Sequence, residues 1–130
     1  MERPRYKIQL TTFDYVIEIL SVIVVVCSVV FTLIFFFNAP DIVPVHYDLS
    51  GKVDAFGSKN TYLTLPIASL FVYVGVTILA HYPHIFNYPT TVTAENAFSL
   101  YKTALRILRI VKLLICLMFL SIIICQLIII

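Results

Sequence analysis

The sequence predicts an all-α integral membrane protein with three transmembrane helices, a small hairpin-like cap outside the membrane and a cytoplasmic amphipathic helix. Hydrophobic residues make up 61% of the 130 residues and charged residues only 12%, too few charges to cover a water-soluble domain. Three apolar stretches are each about 20 residues long, the length that crosses a bilayer as a helix. We interpret residues 1–130 as a single membrane domain.

The three predicted spans cover about residues 15–37, 62–81 and 110–130. The first span contains one acid, Glu18, and the third has Lys112 near its start. The first apolar run is longer than the ~7–15-residue core of a cleaved signal peptide, which favours an uncleaved signal anchor. An odd number of spans places the two termini on opposite sides of the membrane.

Basic residues are distributed unevenly about these spans. Seven of the nine precede the first span or lie close to the start of the third: Arg3, Arg5, Lys7, Lys102, Arg106, Arg109 and Lys112. The polar stretch at residues 38–61, which we call the cap, holds only Lys52 and Lys59. The positive-inside rule therefore predicts a cytoplasmic amino terminus, with the cap and the carboxyl terminus outside. The net charge of +2 is too small to indicate a nucleic-acid partner.

The cap has the pattern of a short β-hairpin. Val43, Val45 and Tyr47 alternate with residues of other types, and a turn-like Asp48-Leu49-Ser50-Gly51 follows. We expect strands of about four residues and a positive φ at Gly51. An isolated hairpin is marginally stable in water, so the cap needs support from the spans or from another copy of the chain.

Residues 93–109 have the periodicity of an amphipathic helix with Thr93 as its N-cap. The apolar face holds Ala94, Ala97, Phe98, Tyr101, Ala104, Leu105 and Leu108, and the polar face holds Glu95, Asn96, Ser99, Lys102, Thr103, Arg106 and Arg109. Basic residues on the polar face are typical of a helix beside anionic lipid. We expect this helix to continue into the third span.

Two acids lie one helical turn apart at the cytoplasmic end of the first span, Asp14 and Glu18. An acid inside the membrane boundary is costly unless it is paired. We therefore predict an intramembrane pair of Glu18 with Lys112 or Arg109, which lie at a matching depth in the third span. The alternative is that both acids reach the headgroup region.

The candidate chemical groups of the cap are His46, Asp48 and Asp54, a combination that could bind a metal ion. No catalytic motif or paired-cysteine motif accompanies them, and aspartates in turns more often accept backbone hydrogen bonds. Cys27, Cys116 and Cys125 all fall inside spans, where cysteine is usually a small packing residue. We expect no metal, no cofactor and no enzymatic activity.

The cap also carries a long motif, P-x-x-x-P-x-H-x-D-x-x-G-x-x-D-x-x-G-S-K, formed by Pro40, Pro44, His46, Asp48, Gly51, Asp54, Gly57, Ser58 and Lys59. It resembles the bacterial domain of unknown function 1648. The resemblance extends more weakly through the second span to Glu95-Asn96 and Tyr101. That domain commonly forms the amino-terminal part of SdpI-type membrane proteins, some of which give immunity to a secreted peptide toxin. The resemblance implies a multi-pass protein of the bacterial inner membrane.

The predicted function is non-enzymatic recognition or immunity, in which the cap binds an extracellular peptide, an envelope component or another membrane protein. His46, Asp48, Asp54 and Lys59 are the expected polar contacts. The alternatives are a metal-dependent membrane hydrolase that uses His46, Asp48 and Asp54, and a structural or scaffold subunit of the membrane. A homo-oligomer is a further candidate partner arrangement. In the structural alternative Gly51 and Gly57 set turns, Asp48 and Asp54 cap backbone amides, and Lys59 lies at the membrane edge.

Overall fold

The computed structural model describes residues 2–129. Within that range, three helices are long and apolar enough to cross a membrane, and a two-stranded antiparallel sheet lies between the first two. The main elements are α1 (Thr12–Asn38), β1 (Ile42–Tyr47), β2 (Val53–Ser58), α2 (Thr64–Leu79) and α3 (Ala97–Ile129). Short 3₁₀ turns precede α2 (Lys59–Leu63) and follow it (Pro83–Ile85). The predicted fold class, a multi-pass helical membrane protein with a small hairpin, is confirmed.

Helix α1 begins at Thr12, three residues before the predicted start, because its first turn is fixed by a capping box. The Asp14 carboxylate accepts a hydrogen bond from the Thr11 amide at 2.8 Å, and the Asp14 amide donates to the Thr11 hydroxyl at 3.4 Å. This pair of bonds satisfies donors that the helix itself leaves open. Asp14 thus lies within the helix, on the side that faces its neighbours.

The three helices pack around a central cluster formed by Val24, Val25, Leu113 and Cys116, with Tyr73 of α2 against it. Small polar residues lie fully buried where the helices meet: Ser21, Ser28 and Ser69. The hydroxyls of Ser21 and Ser28 donate to carbonyls of the preceding turn at 2.8 and 2.9 Å. Small residues of this kind let membrane helices approach closely. Many other large apolar side chains are exposed, for example Ile19, Phe71 and Leu114, as expected of a surface in contact with lipid.

The predicted amphipathic helix and the predicted third span form one continuous helix, α3, which begins at Ala97, four residues after the predicted N-cap Thr93. The turn ahead of it is held by Thr93 and Asn96, because each side chain accepts a hydrogen bond from the other's backbone amide, at 2.7 and 3.3 Å. The predicted end at Ile130 lies outside the described residues.

Arg109, which we placed on the polar face of the amphipathic helix, lies on the buried face of α3. The buried face of α3 runs through Ala97, Tyr101, Leu105, Arg109, Lys112 and Cys116, at intervals of three or four residues. Arg109 is 9% exposed on this face, because the acids of α1 lie opposite it. Phe98, assigned to the apolar face, is 50% exposed.

The cap rests on the ends of the helices through a second apolar cluster. Val43 of β1 packs with Phe35 of α1 and Tyr62 of the first 3₁₀ turn. The rings of Phe35 and Tyr62 stack with centroids 4.6 Å apart, and the Tyr62 hydroxyl donates to the Pro44 carbonyl. The hairpin therefore gains from the spans the support that two strands lack on their own.

Candidate functional site

The cap is a hairpin with irregular pairing around His46. The register pairs Ile42 with Ser58 and Pro44 with Phe56, but His46 lies opposite Ala55 and Tyr47 opposite Val53. Val45 and Asp54 thus have no partner in the register, as in β-bulges, which turn nearby side chains out of their regular directions. Each strand has six residues, two more than predicted.

The turn of the hairpin is locked by Asp48. Its carboxylate oxygen Oδ1 accepts hydrogen bonds from the Ser50 hydroxyl at 2.6 Å, the Ser50 amide at 2.8 Å and the Lys52 amide at 3.0 Å. The bond from the Ser50 hydroxyl, followed by that from the Lys52 amide, holds the pKa of the Asp48 carboxyl below its usual value. Gly51 has φ +82°, so the predicted positive φ is confirmed.

Among residues 2–129 the Asp54 carboxylate accepts no hydrogen bond from a backbone amide, whereas the structural alternative expects one. Its Oδ1 lies 2.5 Å from Nδ1 of His46, and both side chains are exposed on one face of the hairpin. The irregular register around His46 brings these two residues side by side. No group of three His, Cys, Asp or Glu side chains within residues 2–129 is arranged to hold a metal ion. Of the three residues of the hydrolase alternative, the structure brings His46 and Asp54 together.

The structural alternative expects Gly57 to form a turn. In the structure Gly57 lies within β2 instead. A Cβ atom at this position would come within 3.1 Å of Cγ1 of Val45, so Val45 would have to shift by a few tenths of an ångström. Gly57 thus leaves room for Val45, and its φ is not positive. Val45 occupies that space and lines a groove between β1, α2 and α3.

The remaining residues of the motif lie where the cap joins the helices. Lys59 lies 3.1 Å from the Asp41 carboxylate and 5.1 Å from the centre of the Phe36 ring. The Ser58 hydroxyl accepts a hydrogen bond from the Asn60 amide at 3.3 Å. Pro40 follows the C-cap of α1, a position where a proline ends the helix.

A groove of about 540 Å³ lies between β1, the start of α2 and the last turns of α3. Its surface is mainly apolar, and its polar lining residues are His46, Tyr47, Thr61, Tyr62, Thr64, Ser121 and Gln126. The Tyr47 hydroxyl is buried and lies beside the Tyr62 side chain. We call this space the cap groove.

The α3 side of the cap groove was missed by the sequence reasoning. Ser121, Cys125 and Gln126 lie far from the cap motif in the sequence and reach it only because α3 packs beside α1 and α2. Gln126 is a polar residue within an otherwise apolar stretch, and that signal could have identified it.

A second polar cluster lies near the amino-terminal end of the bundle. Nζ of Lys112 lies 2.7 and 2.8 Å from the two Glu18 carboxylate oxygens, 3.1 Å from the Thr77 hydroxyl and 4.7 Å from the centre of the Tyr73 ring. Arg109 contacts the same carboxylate at 3.5 Å. The structure thus places Glu18 against both of its candidate partners, which makes the headgroup alternative unnecessary to explain its position.

Residues 23–70 match the family model described as Domain of unknown function (DUF1648). The match covers most of α1, the whole hairpin and the first turns of α2. The predicted resemblance is confirmed over this range, whereas the link to SdpI-type immunity proteins stays a prediction. No curated protein and no solved structure matches the chain.

Proposed function

We propose that this protein is a non-enzymatic recognition protein of the membrane, and that the cap groove binds a peptide or another envelope component. The observation that carries the proposal is the groove itself. Ligand sites in proteins are concave and mostly apolar, with a few polar groups that fix orientation. The cap groove has this composition, since apolar side chains of α2 and α3 surround Tyr47 and Gln126.

Two polar groups of the groove favour a ligand with hydrogen-bonding capacity. The exposed His46 ring and the Gln126 side chain both line the groove, whereas the Tyr47 hydroxyl is buried beside Tyr62. The Gln126 amide offers two donors and one acceptor. A peptide supplies both kinds of group along its backbone as well as apolar side chains for the walls.

Two of the expected polar contacts, Asp48 and Lys59, are already bound to other residues of the cap. Asp48 is engaged in the turn and Lys59 is paired with Asp41, so we assign both to the stability of the cap. His46 remains a candidate contact because it lines the groove and is exposed. The proposed polar contacts are thus His46 and Gln126.

An immunity role is the finer form of this proposal, supported by the family resemblance. It requires that the cap face the outside, which the distribution of basic residues favours. In this role the groove would bind a toxic peptide that arrives from outside, before the peptide reaches its target.

Selection of peptides from a random displayed library tests the groove directly. The bait is the full chain in lipid nanodiscs, and empty nanodiscs remove peptides that bind lipid alone. We expect selected peptides to bind the wild type and to lose about tenfold or more in affinity with His46→Ala or Gln126→Leu, since each change removes hydrogen-bonding groups within the groove.

Leu49→Ala is the matched control, because Leu49 is fully exposed at the tip of the hairpin and outside the groove. Peptides that bind all three variants equally would contradict a site in the groove. Failure to select any peptide above the empty-nanodisc background would contradict peptide recognition.

A further inference from the structure

A cavity of about 440 Å³ lies at the amino-terminal end of the bundle, opposite the cap groove. It is enclosed by the segment before α1 and by α1, α2 and α3. Arg109 and Glu18 lie at its polar side, Lys7 and His81 also line it, and apolar side chains such as Leu10 and Leu105 form the rest of its wall. A cavity with one charged side and one apolar wall suits an amphiphilic ligand.

Arg109 is the residue of this cavity that has unused hydrogen-bond donors. Its side chain is about nine-tenths buried, and its two ionic contacts are long, at 3.7 Å from the Asp14 carboxylate and 3.5 Å from the Glu18 carboxylate. Neither contact has the geometry of a hydrogen bond. A guanidinium group has five N–H donors, so most of its donor capacity is unused among residues 2–129.

The neighbouring acids are already engaged by other groups. Both Glu18 oxygens accept hydrogen bonds from Lys112, and Asp14 accepts bonds from the amide and hydroxyl of Thr11 at 2.8 and 2.9 Å. Arg106 also reaches Asp14, at 3.4 Å. Three bases of α3 thus face two acids of α1, which leaves one positive charge in excess, and Lys7 adds another at the cavity.

We infer that this cavity binds a phospholipid with an anionic headgroup. The phosphate oxygens accept hydrogen bonds from the free donors of Arg109, which matches phosphate geometry with its planar fork. Lys7 contributes a second positive charge, and the apolar wall covers the first part of an acyl chain. Basic pockets between membrane helices are a known form of lipid-headgroup site.

A lipid fits the cavity better than free phosphate does, for two reasons. Phosphate alone would leave the apolar wall formed by Leu10 and Leu105 uncovered. The cavity also lies beside the first turns of a membrane-spanning helix, at the level of Asp14 and Glu18, where lipid headgroups are the most abundant source of phosphate.

The test uses the full chain, purified in a mild non-ionic detergent and depleted of lipid. Its thermal unfolding midpoint is measured against increasing phosphatidylglycerol, phosphatidylcholine or inorganic phosphate. We expect a saturable rise with phosphatidylglycerol, because a ligand that binds only the folded state stabilises it. Phosphatidylcholine should need about tenfold higher concentration for the same rise, and inorganic phosphate should have no effect.

Three variants locate the site. Arg109→Met should abolish the rise, whereas Lys102→Met, an exposed cation on the same helix outside the cavity, should keep it. Ala80→Phe fills the cavity without changing any charge and should also abolish the rise. If Arg109→Met does not fold, Ala80→Phe alone tests whether the lipid binds in this cavity.

Three results would overturn the inference. An equal response to phosphatidylglycerol and phosphatidylcholine would mean that the lipid acts only as a solvent. An equal loss in Lys102→Met and Arg109→Met would indicate general surface attraction. A full response to inorganic phosphate would show that the site takes a free anion.

Discussion

Lys112 and Glu18 are joined by two hydrogen bonds between α1 and α3, with Nζ–Oε distances of 2.7 and 2.8 Å, although 94 positions separate them in the sequence. Lys112 is 1% exposed. Because a buried charge without a partner is costly, this pair fixes the depth at which the two helices meet.

The pair predicts measurable coupling. Glu18→Gln and Lys112→Met should each destabilise the bundle, and the double variant should lose less than the sum of the two, by about 0.6–2 kcal/mol. Reversible unfolding in mixed micelles measures the three differences in unfolding free energy, and a double-mutant cycle extracts the coupling. A parallel cycle with Arg109→Met should give a smaller coupling, since its contact with Glu18 is longer. Strict additivity in both cycles would mean that Glu18 is solvated independently.

The hairpin turn should be sensitive to substitution at Gly51. At φ +82° a β-branched residue is strained even though no atom lies within 4 Å of the position a Cβ would occupy, so Gly51→Val should cost about 1–3 kcal/mol. Leu49→Ala, on the same turn but exposed, should change stability by no more than about 0.5 kcal/mol. Proteolysis of the cap measures both, and equal protection of the two variants would contradict a strained position.

Asp48 should give the cap a pH dependence. The folded-state pKa of this carboxyl is lowered from 3.8, so its contribution to stability is fully present above the unfolded-state pKa. That contribution is lost as the pH falls through the lower folded-state pKa. Asp48→Asn should be less stable than the wild type near neutral pH, and the difference should shrink below about pH 4. A difference that stays constant from pH 6 to pH 2 would contradict this role.

The orientation of the cap can be tested by chemical labelling. In a variant in which Cys27, Cys116 and Cys125 are replaced by Ala, a cysteine introduced by Ser50→Cys should react with a membrane-impermeant thiol reagent in intact spheroplasts. The expectation follows from the positive charges at the amino-terminal end. Lys7→Cys in the same background is the control for the other side. Labelling of the Ser50→Cys variant only after lysis would mean that the cap faces the cytoplasm.

Metal analysis separates the recognition proposal from the hydrolase alternative. We expect the purified chain to hold no stoichiometric zinc or manganese, because His46 and Asp54 form a pair while the Asp48 oxygen Oδ1 is engaged in the turn. One metal ion per chain, lost in His46→Ala and retained in Leu49→Ala, would favour the hydrolase.

The spans and the hairpin could be predicted because their signals are local. Apolar runs define helices in a bilayer, and an Asp-Leu-Ser-Gly turn between alternating residues defines a hairpin. The burial of Arg109 could not be predicted from the period of α3 alone, since a helical pattern does not reveal that Asp14 and Glu18 lie opposite. The cap groove depends in the same way on how the last turns of α3 pack, which no local signal specifies.

Helix α3 has 33 residues without a glycine or proline, so it is about 50 Å long, whereas the hydrocarbon core of a bilayer is about 30 Å thick. The excess must be accommodated by tilt or by helix that extends into the headgroups. Arg109 and Gln126 are both carried on this unbroken helix. A change in bilayer thickness that alters its tilt therefore moves residues of the cavity and of the cap groove together, which makes hydrophobic mismatch a common influence on both ends of the molecule.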